Sequence, residues 1–319
     1  MHSVVGVSRQ FGYDDPGAVR TAIVAALAPL GGMEAFVPAG ARVLLKPNFV
    51  RAMDPASGGV THPVFIAETA RLVREAGAGE VLVGDSPAFG SAANAAAQMG
   101  LPPLLEPSGA RLVEFREVRK VRDGLDNGRF RALALAGQAL DADVLINLAK
   151  PKAHCQMVLT GAVKNLFGCI PGRKKAVMHC LVDNDRVLFG RMLVDNAWAL
   201  GAALHLADGI IAMEGMGPTR GTPRAWGAVL ASCDPVALDR VLAAAWGYEP
   251  DEVPHLLAAR RMKRRARELA DVALIGATLE SLRVPDWKRA SMLPITFNPV
   301  RLAIGYFRHL RQLRSATAG

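Results

Sequence analysis

The chain has 319 residues, 51% of them hydrophobic and 21% charged, enough apolar material for a packed core and too much for wholesale disorder. No apolar run approaches the ~18 residues of a membrane helix, and the first ten residues lack the basic and apolar regions of a secretory signal, so a cytoplasmic protein is expected. The net charge of +9 is local: residues 1–259 hold 25 basic and 25 acidic residues, and residues 260–319 hold 13 and 4. Only the C-terminal end is basic, and no nucleic-acid reading motif accompanies it, so nucleic acid is not the expected partner.

In chain order, an Ala-rich helix is expected over 18–27 behind the acidic, proline-led start Asp14-Asp15-Pro16. A short apolar strand over 42–45 stops at Lys46-Pro47-Asn48. The next unit repeats this: Thr61-His62-Pro63 opens a helix to about 76, Gly77-Ala78-Gly79 closes it, and a strand over 80–83 ends at Gly84-Asp85-Ser86-Pro87. Residues 112–115 and 130–135 read as strands around a polar turn at 123–127. The strand over 143–148 leads into Lys150-Pro151-Lys152-Ala153-His154. A helix over 187–204, strands over 205–213 and 226–231, a helix over 235–246 and a last strand over 270–276 follow. Helix, strand and polar loop in repeated order imply an α/β fold of parallel-sheet units with helices on both faces. The expected division is an N-terminal lobe over 1–140, a second lobe over 141–285 around a cleft, and a basic amphipathic segment over 286–319.

The four cysteines, Cys155, Cys169, Cys180 and Cys233, contain no Cys-x-x-Cys pair, so an iron–sulfur framework is absent and reduced thiols are expected. Lys150 and Lys152 beside Cys155 are expected to lower its pKa. Walker, dinucleotide-binding and hydrolase-elbow motifs are also absent.

In open parallel sheets, ligands bind beyond the carboxyl ends of the strands. The polar clusters fall at those ends: Lys46 and Asn48; Asp85; Lys150, Lys152 and His154; then Lys164-Asn165 through Gly168 to Arg173-Lys174-Lys175. Each has a plainer use as well. His62 before Pro63 can start a helix, Asp85-Ser86-Pro87 can be a turn, and the basic run 173–175 can be a solvated face. Asp234-Pro235 can start a helix or pair its carboxylate with Asp239. Glu214 and Arg220 flank a glycine-rich loop able to cross a cleft.

Taken together, Lys46-Pro47-Asn48, Thr61-His62-Pro63, Gly84-Asp85-Ser86-Pro87, Lys150-Pro151-Lys152-Ala153-His154, the run 159–168, Met213-Glu214-Gly215-Met216-Gly217-Pro218 and Asp234–Asp239 resemble the motifs of the domain of unknown function 362 family. Many members of that family carry a cysteine-rich ferredoxin-like module, which this chain lacks. More remotely, the chain is similar to lactate racemase and its relatives, which hold a nickel-pincer nucleotide. That similarity implies Lys164 as a cofactor tether, with His154 and His179 as nickel-facing or proton-moving residues. The loop over 84–90 holds no histidine, so a two-histidine shuttle does not transfer.

The working expectation is an enzyme, isomerase-like or associated with an oxidoreductase, acting on a small carboxylate- or phosphate-bearing anion. Lys46, Asn48, Lys150, Lys152, Lys164 and Asn165 would bind substrate; His154 would be the general acid/base, with His62 second and Asp85 orienting a partner or joining a divalent metal. No dedicated metal site is expected from the residues. The alternative is a non-catalytic anion-binding or membrane-associated accessory protein. Residues 300–314 form an apolar arc with a basic side, fit either to dock on the body or a second subunit or to lie on an anionic membrane.

Overall fold

The computed structural model describes residues 2–122, 125, 129–172, 174–264, 266 and 268–296. Arg173, most of the turn expected at 123–127 and the basic stretch from 297 onward lie outside them.

The chain opens with strand β1 (Ser3–Arg9), then helix α1 (Pro16–Leu27), β2 (Arg42–Lys46), α2 (Pro63–Glu75) and β3 (Glu80–Asp85). Next come α3 (Ala92–Gln98), α4 (Leu101–Leu105), β4 (Arg111–Glu114), β5 (Val118–Val121), β6 (Leu133–Ala136), α5 (Gly137–Leu140) and β7 (Val144–Ala149). A small hairpin, β8 (Lys152–His154) and β9 (Val158–Thr160), leads to α6 (Ala162–Asn165), α7 (Lys174–Cys180) and α8 (Arg186–Leu200). The chain then forms β10 (Leu204–Glu214), β11 (Thr222–Ser232), α9 (Pro235–Ala245), α10 (Pro254–Arg261), β12 (Val272–Ile275) and α11 (Leu279–Leu282).

Local chemistry explains the starts. Asp15 accepts the amides of Gly17 and Ala18 ahead of Pro16, and Asp234 does the same for Val236 and Ala237 ahead of Pro235. The helix expected over 187–204 ends earlier, at Leu200, because Gly201 takes a left-handed conformation and releases the chain into β10.

Ten strands form one sheet, with the main order β12-β1-β11-β10-β7-β2-β3-β4 and the β8–β9 hairpin attached to β10. From β10 to β4 every neighbour pair is parallel. The exception to the expected parallel order is β11, which runs antiparallel to both β10 and β1. Alternation along the strands fills two cores. Val43, Leu45, Val81, Val83, Ile146 and Leu148 face one side with α1 and α2. Leu44, Leu82 and Leu145 face the other, with residues of α6, α8, α9 and α10. A fully buried Leu, Ile or Val contributes on the order of 1.5–3 kcal/mol, so the sheet buried on both faces is the stabilising centre.

The sheet is continuous across the expected boundary at 140, with β7 beside β2 and β1 between β11 and β12. The boundary expected at 286 falls within packed structure. Trp287 stacks on Trp246 at 3.9 Å, and Ile295 is fully buried.

Candidate functional site

Because β2, β3, β7 and β10 are parallel, their carboxyl ends share one rim. The last residue of β2 is Lys46 and the last of β3 is Asp85, and their side chains pair at 2.8 Å in the interior. Asp85 is held by the amides of Phe49 and Ser86, and Lys46 also donates to the carbonyl of Pro47 and to Asn165 Oδ1. Gly168 lies directly over this pair. A Cβ there would collide with Asp85 Oδ1 and Lys46 Nζ, which explains a glycine at the position.

Asn165 joins three loops. Its Oδ1 accepts from Asn48 Nδ2 at 2.7 Å, and its Nδ2 donates to Asn147 Oδ1 at 2.8 Å. Asn48 Oδ1 in turn accepts from Lys152 Nζ at 2.7 Å, and Lys152 also donates to the carbonyl of Gly59. Lys152 has no carboxylate partner in this network. Burial, then the neighbouring cations Lys164, Lys150 and Lys46, hold its ammonium well below the usual range. Lys46 and Lys152 were expected to present charge to an anion; the fold commits both to internal partners instead.

Lys150 sits in a second buried cluster, paired with Asp208 at 2.9 Å and donating to Tyr13 Oη at 3.0 Å. Tyr13 Oη donates to Asp208 Oδ1 at 2.6 Å; burial and that carboxylate push the phenol well above its usual range. His62 stacks on Tyr13 with centroids 3.6 Å apart, and its backbone amide donates to Asp208 Oδ2. Its Nδ1 accepts the Val64 amide as the cap of α2, and burial lowers its pKa to about 4. His62 is therefore engaged as the cap of α2 through Nδ1.

Lys164 differs from the other three lysines. It is half-buried, lies 5.8 Å from the Phe167 ring centre, and makes no hydrogen bond or ion pair among the described residues. Burial and then Lys175 lower its pKa to about 8. Lys175, donating to the Ser86 carbonyl, is lowered to about 8 by burial.

Around Lys164 stand His154, Cys155 and His179. His154 Nδ1 accepts the amides of Gln156 and Met157, which leaves the proton of the neutral ring on Nε2. Burial, reinforced by Lys164 and Lys152, holds its pKa well below the usual range, which favours the neutral ring. Burial raises the Cys155 thiol, opposed by a backbone hydrogen bond and then by Lys164 and Arg220, so the shift runs opposite to the expected lowering. His179 packs edge-on to Phe167, and burial followed by Lys164 lowers it to about 3.

Residues 288–296 run across this rim as a strap. Leu293 donates its amide to the Cys155 carbonyl at 2.6 Å, Gln156 Nε2 reaches the carbonyl of Pro294, and His179 Nδ1 faces the Ile295 carbonyl. Glu214, expected to meet a ligand, is buried and accepts the Lys288 amide.

The short helix that carries Lys164 and Asn165 is fixed from behind. Asp239 accepts the amides of Ala162 at 2.5 Å and Val163 at 3.1 Å, and His255 Nε2 lies 2.9 Å from the same carboxylate. The Asp234–Asp239 pair is thus not formed: one caps α9 and the other turns to α6. Tyr13, Asp208 and His255 escaped the sequence reading, since no local spacing joins them, whereas Asn147 stands in the same strand-end cluster as Lys150, Lys152 and His154. Asp208 and His205 on one strand were the available signal, being polar residues in an apolar run.

Among the described residues, no group of three or more His, Cys, Asp or Glu side chains gathers for a metal. Lys164 instead lies near two imidazoles, those of His154 and His179.

The model of a family described as a domain of unknown function, DUF362, matches residues 43–244, which include every rim residue above except Tyr13, His255 and the strap. A thylakoid-associated protein of Synechocystis sp. is 40% identical over 296 residues, covering 92% of this chain and 91% of the relative. The lactate racemase apoprotein from Thermoanaerobacterium thermosaccharolyticum is similar in structure at a TM-score of 0.42 and 13% identity, over 65% of this chain. A structural-genomics protein from Thermotoga maritima gives 0.41 and 12%, over 66%. The chain spans about half the length of these two structures, 50% and 54%.

Proposed function

The chain belongs to the domain of unknown function 362 family, and from that premise we propose an enzyme acting on a small anionic substrate at the Lys164 rim. One observation carries the reading: Lys164 makes no hydrogen bond or ion pair among the described residues, and its pKa of about 8 lets it exchange a proton near neutral pH. Below that value its charge, with Lys175, attracts a carboxylate or phosphate; above it, the free amine is a base. The neutral His154 offers Nε2–H as a fixed donor to a developing oxyanion. A proton-transfer reaction such as racemisation or epimerisation uses these functions. Were a pincer nucleotide bound, Lys164 would be the residue to hold it, with His154 and His179 nearby, and the group would supply an electrophilic metal centre.

The test is deuterium exchange at the α-carbon of a panel of 2-hydroxy, 2-amino and phosphorylated acids, followed by NMR. Exchange lost in Lys164→Met with an unchanged melting curve supports the proposal; exchange equal in the variant and the parent overturns it. An accessory role without turnover is favoured by one observation, the burial of Lys46, Lys150 and Lys152 as structural cations. That reading gains if anions bind and no exchange occurs.

Contact with a membrane surface is part of the proposal. No described helix is long and apolar enough to cross a membrane. Support comes from the relative named as thylakoid-associated and from the basic C-terminal stretch.

A further inference from the structure

Half of the eight exposed large apolar side chains among the described residues gather at one place. Val177 and Leu181, one helical turn apart at α7, are 55% and 44% exposed, and Met292 and Leu293 on the strap are 42% and 37% exposed. The two segments are joined directly. Asn184 and Thr296 exchange hydrogen bonds of 3.1 and 3.0 Å, and Arg186 donates to the Leu293 carbonyl. Single exposed apolar side chains are ordinary, but four on adjoining segments call for a partner.

Charge identifies the partner. Lys174 is exposed on α7 and Arg186 lies beside the strap. Two exposed carboxylates, Asp183 and Asp185, offset these cations, and Asp185 also accepts the amides of Val187 and Leu188 as the cap of α8. From Thr296 the chain continues through residues 297–319, which contain Arg301, Arg308, Arg311 and Arg314 and no Asp or Glu. A stretch of four arginines with no carboxylate, continuing directly from an apolar face, is drawn to an anionic lipid surface.

We propose that the face formed by α7 and the strap rests on an anionic lipid surface, with Val177, Leu181, Met292 and Leu293 entering the headgroup layer. This rests on the membrane contact proposed above and commits it to one side of the molecule, the side bearing the Lys164 rim. The rim then opens at the lipid–water boundary.

Two native cysteines report on it. Cys180 is exposed on α7. Cys233 is exposed just after β11, whose Ser232 pairs with His205 at the start of β10, so it lies at the end of the strands opposite the rim. Full-length protein is mixed with phosphatidylglycerol or phosphatidylcholine vesicles, sedimented, and treated with a polymer-linked maleimide, with each thiol followed by peptide mass. Expected are sedimentation with phosphatidylglycerol alone, Cys180 slowed at least roughly fivefold, and Cys233 unchanged. Leu181→Asp should weaken sedimentation by a similar factor with an unchanged melting curve.

Sedimentation with Cys180 at its vesicle-free rate, or with Leu181→Asp binding like the parent, overturns this face and leaves membrane contact standing. Cys180 unreactive without vesicles shows that the chain's own continuation covers α7, and also overturns it. Absence of sedimentation removes membrane contact itself.

Discussion

Asp239, on α9, accepts the backbone amides of Ala162 and Val163 and thereby holds the start of α6, whose next two residues are Lys164 and Asn165. One fully buried carboxylate thus fixes both the open amine of the rim and the amide that links three loops. It satisfies two amides that a helix start leaves unpaired, and His255 contributes a third contact.

Asp239→Asn would turn one acceptor into a donor against an amide. The expected loss is about 2–4 kcal/mol in urea unfolding, the scale of a buried charged partner removed. Anion binding at Lys164 should weaken at the same time, measured by calorimetry on the folded fraction.

Gly168→Ala forces a Cβ into the Lys46–Asp85 pair and is expected to cost more than about 3 kcal/mol. The control is Gly172→Ala. Gly172 has φ of +62° and nothing within 4 Å of a Cβ, so backbone strain of about 1 kcal/mol is all it should cost. Denaturant unfolding of both variants checks the difference.

Lys164 and Lys175, each at about 8, set opposite trends in binding and turnover. Both are cationic below that pH, so anion affinity should be level below neutrality and fall as pH rises through about 8. A step using free Lys164 as base should accelerate over the same interval. Titration from pH 6 to 10 should show KM and kcat rising together in the parent, and Lys164→Met should flatten most of the binding trend.

Acid should unfold the protein through its histidines. Burial lowers His205 and His179 to about 3 and His62 to about 4, against a usual 6.5. Between those limits the unfolded chain binds more protons, so stability rises with pH from about 3 to 6.5 and is lost as pH falls through that window. The loss is on the order of several kcal/mol in total. His205→Asn, which keeps a polar partner for Asn147 at 3.0 Å, should lose less stability between pH 7 and pH 5 than the parent, as read from urea midpoints.

Much of the sheet was legible because breakers flank its strands: Lys46-Pro47 after β2, Gly79 before β3 and Lys150-Pro151 after β7 mark ends that chain order alone reveals. The antiparallel turn of β11 was not legible, since a strand's direction depends on its partner. At the rim, the sequence placed Lys46, Asn48, Asp85, Lys152, Lys164 and Asn165 at strand ends, and hydrogen bonds or an ion pair join all of these but Lys164. What it could not show was which charges are already spent. Lys46 and Lys164 look alike in sequence, and only the position of Asp85 separates a buried ion pair from an open amine. The neutral state of His154 is a consequence of two backbone amides on Nδ1, equally invisible along the chain.

The placing of β1 bears on how the chain is made. Val5 pairs with Ser232 on one side, and Val4 pairs with Ala273 on the other. At ~5–20 residues per second, a ribosome takes more than about 10 s to deliver those partners after β1 has emerged. Throughout that interval the first strand presents two unsatisfied hydrogen-bonding edges, an invitation to aggregate that a holding chaperone would have to mask. The N-terminal residues, synthesised first, are among the last to find their place.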